Sequence, residues 1–241
     1  MTDTEFNTAK FIASLSKYDT PTICNAIEVA QGGRGFSNFT RGTMQSAMNG
    51  AKAMVGYART AKIAGKEAPT EAANTIKARR LEYYRYMANP SPEIDGPSVC
   101  VIEDIDAPDC VSGWWGEVHT AVHKGLGMSG ALTNGVMRDL DDHEPGFPVL
   151  AGSIGPSHMF VHVREIGTPV TIFGLAVKDG DLVHADQHGA VIIPLDVLPI
   201  LGAAIESLLS SEQIILKPAR KKGFDIDALE EAWKAFENAR T

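Results

Sequence analysis

The chain has 241 residues, of which 44% are hydrophobic, 22% charged and 7% aromatic, a composition typical of a soluble protein that forms its own core. No stretch approaches the roughly 18 to 20 consecutive apolar residues of a membrane-spanning helix, and the N-terminal residues MTDTEFNTAK are polar, so we expect neither a membrane span nor export. The net charge of −8 disfavours nucleic-acid binding. Three scattered cysteines predict neither disulfides nor a thiolate zinc site, and a cytoplasmic protein is expected.

The N-terminal part of the chain alternates between helical and extended patterns. Apolar residues at helical spacing predict two short helices within residues 11–30, interrupted at Asp19-Thr20-Pro21. A glycine-rich loop is expected over 31–50 and a strand over 53–63. Residues 71–88 are predicted to form an arginine-rich helix, which the prolines that follow it end.

The rest of the chain begins as alternating strands and helices and then becomes all-β. The predicted strands are 98–105, 130–133, 148–151, 169–173, 182–185 and 190–193. The predicted helical segments are 115–124, a short turn at 139–143, and two final helices at 195–215 and 225–239. Strands that alternate with helices indicate parallel pairing, so we predict one α/β domain with terminal helices.

A dense polar cluster follows the predicted strand at 130–133 and includes Arg138 and Asp139. Charged side chains at the carboxyl end of such a strand lie where open α/β sheets bind ligands. If this turn were helical, Arg138 and Asp142 would share one face, and Asp139 and His143 the adjacent one. An acid-rich helix start with one surface ion pair explains the same residues equally well.

A second element is the sequence SGWWGE, which ends at Glu117 and leads into a predicted helix. Glycines at a helix start leave backbone N–H groups open, and such a terminus binds a carboxylate or phosphate. The alternative is a tight turn with Trp114 and Trp115 packed in the core. His119 and His123 are four residues apart, a spacing compatible with zinc, although histidines of this kind are more often structural.

Together these two elements resemble the family of the regulator of ribonuclease activity A (RraA), which includes the class II 4-hydroxy-4-methyl-2-oxoglutarate aldolases. The resemblance lies in Glu117, twenty residues, Arg138-Asp139, two residues and Asp142, within the frame WGE…SGALTNGVMRD. Residues 15–26 resemble the N-terminal helix pair of the family, and residues 180–194 resemble its late β-hairpin.

The resemblance implies an α/β fold, the RraA-like swivelling β/β/α domain, with flanking N- and C-terminal helices. We expect a single domain over residues 1–241, with a core at 10–225 and a C-terminal helix at 226–241. The family assembles as trimers or hexamers with active sites between subunits, so a homotrimer or homohexamer is expected.

The resemblance also implies a role for each site residue. Asp139 would bind Mg²⁺ or Mn²⁺, Arg138 would bind the keto oxygen of the substrate, and the backbone around Trp115, Gly116, Glu117 and Val118 would bind its carboxylate. Glu117 would hold the water that protonates the product enolate. Hard oxygen ligands suit these metals, and a cation beside a guanidinium would stabilise an enolate. Supporting residues would be Asp142, His143 and, from a neighbouring subunit, Glu212.

The function expected from this resemblance is a metal-dependent carbon–carbon lyase that acts on a 2-keto acid and releases pyruvate, by retro-aldol cleavage or by decarboxylation of an oxaloacetate-type compound. One alternative is a non-catalytic regulator that binds a ribonuclease or another macromolecule, and another is a related hydrolase or tautomerase of keto acids. The chain departs from the family at Asn134, where aspartate is usual, and at His119, where an apolar residue is usual. Its segment 62–97 is also longer and richer in arginine. We expect Arg79, Arg80 and Arg85 to form a solvated or inter-subunit face.

Overall fold

The computed structural model describes residues 7–90 and 94–240, and the chain divides into two compact units. The first unit comprises the described residues up to Pro21 together with Ser37–Ile193. The second comprises Thr22–Phe36 and the described residues from Pro194 onward. The single domain over residues 1–241 stays a prediction.

Thirteen strands are found in the described part of the chain, all in the first unit. Their bounds are β1 Gln45–Ala47, β2 Met54–Ala64, β3 Ser98–Asp104, β4 Gly113–Trp115, β5 Met128–Thr133, β6 Val136–Met137, β7 Val149–Ala151, β8 Ser153–Ile154, β9 His162–Ile166, β10 Val170–Ile172, β11 Leu175–Val177, β12 Leu182–Asp186 and β13 Gly189–Ile192. The helices of the chain are α1 Thr8–Ser14, α2 Thr20–Gln31, α3 Ala73–Ala88, α4 Glu117–Gly125, α5 Leu198–Ala219 and α6 Ile226–Arg240.

The main sheet has a parallel centre and antiparallel edges. Its order is β1-β7-β5-β3-β2-β12-β13, and β9 pairs with the second half of β2. The pairs β2–β3, β3–β5 and β5–β7 are parallel, as the alternation of strands and helices predicted. Two smaller sheets accompany it, the hairpin β10–β11 and the parallel sheet β4-β6-β8.

Both faces of the main sheet are covered, which explains why β3 is apolar almost throughout. Cys100 and Ile102 face one buried cluster, which includes Trp114 and Trp115. Val99, Val101 and other residues that alternate with them along the strands face a second buried cluster. Burial of a large apolar side chain contributes roughly 1.5 to 3 kcal/mol, so these two layers hold the sheet that positions the site.

The predicted helix at 71–88 is confirmed as α3, but its arginines are not a simple solvated face. Arg79 donates to the carbonyl oxygen of Val163 at 3.2 Å and pairs with Glu71 at 3.1 Å. Arg80 donates to the carbonyl oxygen of Val161 at 3.2 Å. Both arginines therefore tie α3 to the start of β9, and only Arg85 of the three makes no such bond through its side chain in the described structure.

The prediction was wrong around the two motifs that carry the chemistry. Trp115 ends β4 and does not begin the helix, which starts at Glu117. The chain after Gly135 is not helical, because Val136 and Met137 form β6 and Asp139 has a left-handed backbone with φ +53°. The helical turn is a short 3₁₀ segment at Leu140–Asp142. The expected shared helical faces at 138–143 consequently do not exist.

Helices α5 and α6 pack against each other in the second unit. Helix α5 is 22 residues long and contains an 18-residue apolar window with a mean hydropathy of 1.2, so by length and composition alone it qualifies as a membrane span. One third of that apolar window is buried, and its buried residues follow helical spacing at Leu198, Leu201, Ile205 and Leu208. These buried residues form one apolar stripe along the helix.

Candidate active site

The two motifs meet because two short strands pair in parallel. Gly113 lies opposite Val136 and Trp115 opposite Met137, so the residues that follow each strand emerge side by side. The amide of Arg138 donates to the carbonyl oxygen of Trp115 at 2.8 Å. This pairing places Arg138-Asp139 against the beginning of α4, as the sequence analysis expected.

The beginning of α4 is open and lies directly against Asp139. Gly116 occupies the N-cap position and offers no capping side chain, so the first amides of the helix keep the positive end of its dipole available. A Cβ at Gly116 would lie 2.5 Å from Oδ2 of Asp139, so only glycine allows this approach. The amide of Glu117 donates to the same oxygen at 3.4 Å, a long hydrogen bond that a closer acceptor can replace.

The side chain of Arg138 packs against Gly113, the first residue of β4, and against Gly116, the residue before α4. Its aliphatic carbons are 3.0 Å and 3.2 Å from the positions that a Cβ would take at Gly113 and Gly116. Nη1 donates to the Asp139 carboxylate at 3.0 Å, and both side chains are about 30% exposed. Nε is buried, and among the described residues it has no hydrogen-bond partner. The guanidinium is therefore held by one carboxylate and keeps further donors for a ligand.

The left-handed backbone of Asp139 is supported from behind by His143, which is buried. Nε2 of His143 lies 2.7 Å from the carbonyl oxygen of Arg138, and since that oxygen can only accept, Nε2 carries the proton. Nδ1 then faces Nδ2 of Asn49 at 3.4 Å. With both ring nitrogens engaged, His143 positions the Arg138-Asp139 turn and has no free nitrogen for a metal.

Asn134 has a structural role that explains why it is not an aspartate. Its Oδ1 accepts from the amide of Asp104 at 2.7 Å, and its Nδ2 donates to the carbonyl oxygen of Asp104 at 3.0 Å. This amide continues the pairing of β3 and β5 beyond the end of the ladder. A carboxylate could not donate the second bond, so the departure from the family pattern follows from this pairing.

The two histidines of α4 pack against other residues of the first unit, and His123 has no nitrogen left for a metal. Nδ1 of His123 donates to the carbonyl oxygen of His119 at 2.6 Å, so Nε2 accepts from the Tyr83 hydroxyl at 2.7 Å. The His119 ring is stacked on Trp114, with ring centres 4.2 Å apart. Burial is the main cause that lowers the pKa of His119 to about 3 and the pKa of His123 to about 4. Both histidines are therefore neutral. His123 is a core residue beside Trp114 and Trp115, whereas His119 is half-buried.

The family assignment follows from a comparison with known proteins. The family model described as RraA-like, Aldolase/RraA, matches residues 20–192, which is well over half of the chain. The chain belongs to the RraA-like family. This family includes both 4-hydroxy-4-methyl-2-oxoglutarate aldolases and ribonuclease regulators, so membership by itself does not choose between them.

Individual relatives are distant. A protein of Halalkalibacterium halodurans named "Putative 4-hydroxy-4-methyl-2-oxoglutarate aldolase" is 27% identical over 53% of this chain and 56% of its own length. Protein DlpA of Legionella pneumophila is 27% identical over 53% of this chain and 21% of its own length. The chain thus spans from one fifth to just over half of the curated relatives that it matches.

The solved structure of Streptomyces coelicolor RraAS2, described as an unusual member of the RNase ES inhibitor RraA protein family, has a similar fold. Its TM-score is 0.60 at 21% identity, over 88% of this chain and 96% of that chain. At this identity the likeness concerns the fold alone. The RraA-like α/β fold expected from the sequence is confirmed.

The remaining site residues expected for an RraA-like aldolase differ in exposure and in the element that carries them. Glu117 and Val118 are exposed on the first turn of α4, while Trp115 is buried and contributes only backbone. Asp142 is exposed in the 3₁₀ turn. Glu212 lies in α5, which belongs to the second unit, and is half-buried there.

The donor set of the RraA-like site suits a hard, water-rich cation. Within residues 7–90 and 94–240 no group of three or more His, Cys, Asp or Glu side chains converges as a ready-made cage. Asp139 offers a partly exposed carboxylate, and the nearby histidines are engaged elsewhere. Mg²⁺ keeps several waters and is often held by one or two carboxylates plus its substrate, so these residues fit Mg²⁺ or Mn²⁺ and not zinc.

The sequence analysis missed one residue beside this site, Arg80 of α3. A cavity of about 420 Å³ lies within the first unit, and both Arg138 and Arg80 line it. The richness of α3 in arginine was the available signal. Only the packing of α3 against the start of β9 distinguishes Arg80 from its neighbours, since Arg79 does not line the cavity.

Proposed function

We propose that this protein is a divalent-metal-dependent carbon–carbon lyase that cleaves a 2-keto acid and releases pyruvate, by retro-aldol cleavage or by oxaloacetate-type decarboxylation. The observation that carries this proposal is the contact of Gly116 with Asp139, which sets an anion-binding helix start against a carboxylate and a guanidinium. A keto acid has one group for each of these partners. Its carboxylate suits the helix start, and its keto oxygen suits Arg138.

The chain's own residues would act on charge and orientation. The open amides at the start of α4 would bind the substrate carboxylate. When the bond between C3 and C4 breaks, its electron pair moves towards the keto oxygen. Arg138, whose Nη1 is already fixed by Asp139, would donate a hydrogen bond to that developing negative charge. Mutational studies of comparable donors give losses of about 10² to 10³ in kcat.

Protons would be handled at the exposed first turn of α4. In retro-aldol cleavage the C4 hydroxyl loses a proton to water and C3 gains one, so the step is balanced without a redox partner. Glu117 is exposed beside the Gly116 amide and would hold the water that delivers the proton to C3. In decarboxylation, carbon dioxide leaves and the same water would protonate C3.

The metal would be held by Asp139, with water and substrate oxygens as its other ligands. A bound Mg²⁺ or Mn²⁺ would supply Lewis-acid polarisation of the keto group. His143 and Asn49 would keep the Arg138-Asp139 turn in its left-handed form from behind. Asp142 and, from a neighbouring subunit, Glu212 are proposed supporting residues.

The test is a pyruvate-release assay coupled to lactate dehydrogenase, with a panel of 4-hydroxy-2-keto acids and oxaloacetate. We expect pyruvate in the presence of Mg²⁺ or Mn²⁺, loss of activity with a chelator, and recovery when the metal is added back. Absence of pyruvate from every member of the panel with either metal would overturn the proposal. A tautomerase of keto acids would instead consume its substrate without release of pyruvate, and a hydrolase would require a 2,4-diketo acid, which this panel does not contain.

A second candidate function is a regulator that binds a ribonuclease or another macromolecule. The net charge of −8 favours it, because an acidic surface complements a basic RNA-binding surface. A pull-down with a ribonuclease tests this function. Binding that survives both Arg138→Ala and Asp139→Ala, in a protein that releases no pyruvate, would favour the regulator.

Assembly and location are also proposals. A site completed by Glu212 of a neighbour requires a homotrimer or homohexamer, which sedimentation analysis of the purified chain would detect. We further propose that the chain acts in the cytoplasm on a small molecule, without binding a nucleic acid or a membrane.

A further inference from the structure

The cavity beside the candidate site has a second cationic residue that the roles above do not use. Arg80 reaches it from α3, whereas Arg138 reaches it from the turn after β6. The volume of the cavity, about 420 Å³, is within the roughly 300 to 1,000 Å³ range of small-molecule sites. The two arginines therefore share one small-molecule-sized cavity.

The cavity is positively charged although the chain as a whole is acidic. No Asp or Glu is among its lining residues, and Arg138 is already paired with Asp139. Among the described residues, none places a carboxylate within ion-pair distance of Arg80. The charges of both arginines add to burial and to His123 in lowering the pKa of His119 on the cavity wall. An unpaired guanidinium in a sheltered pocket attracts an anion.

Arg80 is held in place by neutral groups, which leaves its charge uncompensated. Nη2 donates to the carbonyl oxygen of Val161 at 3.2 Å, and the guanidinium carbon lies 5.6 Å from the centre of the Trp114 ring. Arg79, its neighbour in the chain, instead pairs with Glu71. The charge of Arg79 is thus paired with a carboxylate, whereas the charge of Arg80 is not, and an unpaired charge is what binds an anion.

The rest of the cavity wall combines apolar side chains with three histidines, His119, His158 and His162. Val118, Met159 and Phe160 line it and are 64%, 40% and 50% exposed. Exposed apolar side chains beside a cationic group suit a ligand that carries carbon between two charged ends.

On the basis of the proposed lyase function, we propose that Arg80 is a specificity-determining residue that binds a second carboxylate, at the end of the substrate remote from the keto acid. Arg138 and the start of α4 hold the keto-acid end, and the apolar wall contacts the carbons between the two ends. The segment 62–97, longer than expected for the family, supplies this residue through α3.

The experiment compares two ligands of equal length that differ only at the remote end, 2-oxoglutarate and 2-oxopentanoate. Their binding to the wild-type chain in the presence of Mg²⁺ is measured by isothermal titration calorimetry, which does not depend on turnover. We expect 2-oxoglutarate to bind about tenfold to a hundredfold more tightly, as one charge-assisted hydrogen-bond pair provides. A ratio within about twofold, or no binding of either ligand at millimolar concentration, would overturn the proposal.

Variants assign the preference to Arg80. In Arg80→Gln the ratio should fall to within about twofold, and in the matched control Arg79→Gln it should be unchanged. Arg138→Gln should weaken both ligands. Circular dichroism checks that each variant folds, and the wild-type comparison stands even if Arg80→Gln does not. A ratio that persists in folded Arg80→Gln would refute the role of Arg80.

The outcome is separable from that of the lyase assay. A clear preference for 2-oxoglutarate in a protein that releases no pyruvate would support the Arg80 subsite and overturn the lyase. Pyruvate release without any preference between the two ligands would support the lyase and overturn the subsite.

Discussion

The two sides of α4 show how similar sequence signals lead to opposite outcomes. At the beginning of the helix, Gly116 leaves the amides open and Asp139 lies in contact. On the buried side of the same helix, His119 and His123 have a spacing that metal ligands often use. Both nitrogens of His123 are already engaged, by Tyr83 and by the backbone, and the ring of His119 is stacked on Trp114.

The difference shows that residue spacing indicates which side chains could bind a metal. Whether they can bind it depends on their burial and on the hydrogen bonds that they already make. A histidine binds a metal through a free lone pair, and Tyr83 occupies that of His123. Asp139 has no second metal-binding residue at helical spacing, yet its carboxylate is partly exposed beside an open helix start. The side of α4 that carries His123, here called the sealed side, supports the fold. The beginning of α4 at Gly116, here called the open end, is available for chemistry.

The largest expected effect is at the open end, in Asp139→Asn. Asparagine tolerates the left-handed backbone as well as aspartate does, so only the charge is removed. We expect kcat/KM for pyruvate release to fall by about 10² to 10³, with a change of less than about 1 kcal/mol in the free energy of unfolding. Asp141→Asn, at an exposed neighbour, is the control. Full activity in Asp139→Asn would remove the mechanism.

The sealed side predicts a dependence of stability on pH. Burial lowers the pKa of His123 from 6.5 to about 4. Above pH 6.5 the imidazole is neutral in the folded and unfolded states, and as the pH falls towards 4 only the unfolded state takes up the proton. Stability should therefore fall across this window, by on the order of 3 kcal/mol.

Urea denaturation at pH 7 and pH 4.5 measures this loss. In His123→Gln, whose amide oxygen can still accept from Tyr83, the loss should be clearly smaller. His158→Gln, at an exposed histidine, should leave it unchanged. An equal loss in His123→Gln would mean that His123 is not the buried neutral group.

A smaller effect is expected where the backbone of Gly116 contacts the carboxylate of Asp139. In Gly116→Ala the new methyl group would meet Oδ2 of Asp139 at 2.5 Å, so the carboxylate or the helix start must shift. We expect a loss of about 2 kcal/mol in stability, within the range for overpacking, and more than about tenfold in activity. The comparison is Gly125→Ala in the same helix, where a Cβ meets nothing within 4 Å. That variant should gain up to about 1 kcal/mol and keep its activity.

The smallest effect tests the support behind the open end. In Asn134→Asp the donated bond to the carbonyl oxygen of Asp104 is replaced by repulsion between two oxygens. We expect thermal denaturation to show a loss of about 1 to 2 kcal/mol. Asn38→Asp, at an exposed position, should change little. An unchanged melting temperature in Asn134→Asp would show that the family's usual aspartate is accommodated.

Much of the fold could be predicted from the sequence, because long elements carry a strong period. The strand at 53–63 and the helix at 71–88 were both found within two residues of their ends in the structure. Short strands such as β4, β6 and β8 were missed, because two or three residues carry no period. Because β4 and β6 position the site residues, missing these two strands left the geometry of the site unpredicted.

The candidate site was predicted in part for a related reason. Arg138, Asp139 and Gly116 were chosen from a spaced motif, and the structure brings them together. His143 was expected as a supporting residue, but its contact with the distant Asn49 could not be predicted. The cavity role of Arg80 could not be predicted either, since it depends on contact with Val161, far away in the chain.

The amino-acid sequence alone determined three things about this protein. They are its family, the order of its long elements, and a pair of motifs with polar groups suited to a keto acid. These depend on local periodicity and on residue chemistry, which are properties of neighbours along the chain. Folding in three dimensions settled which of these groups stay available. The availability of a lone pair or an amide depends on burial and on contacts between distant segments, and no local pattern encodes those.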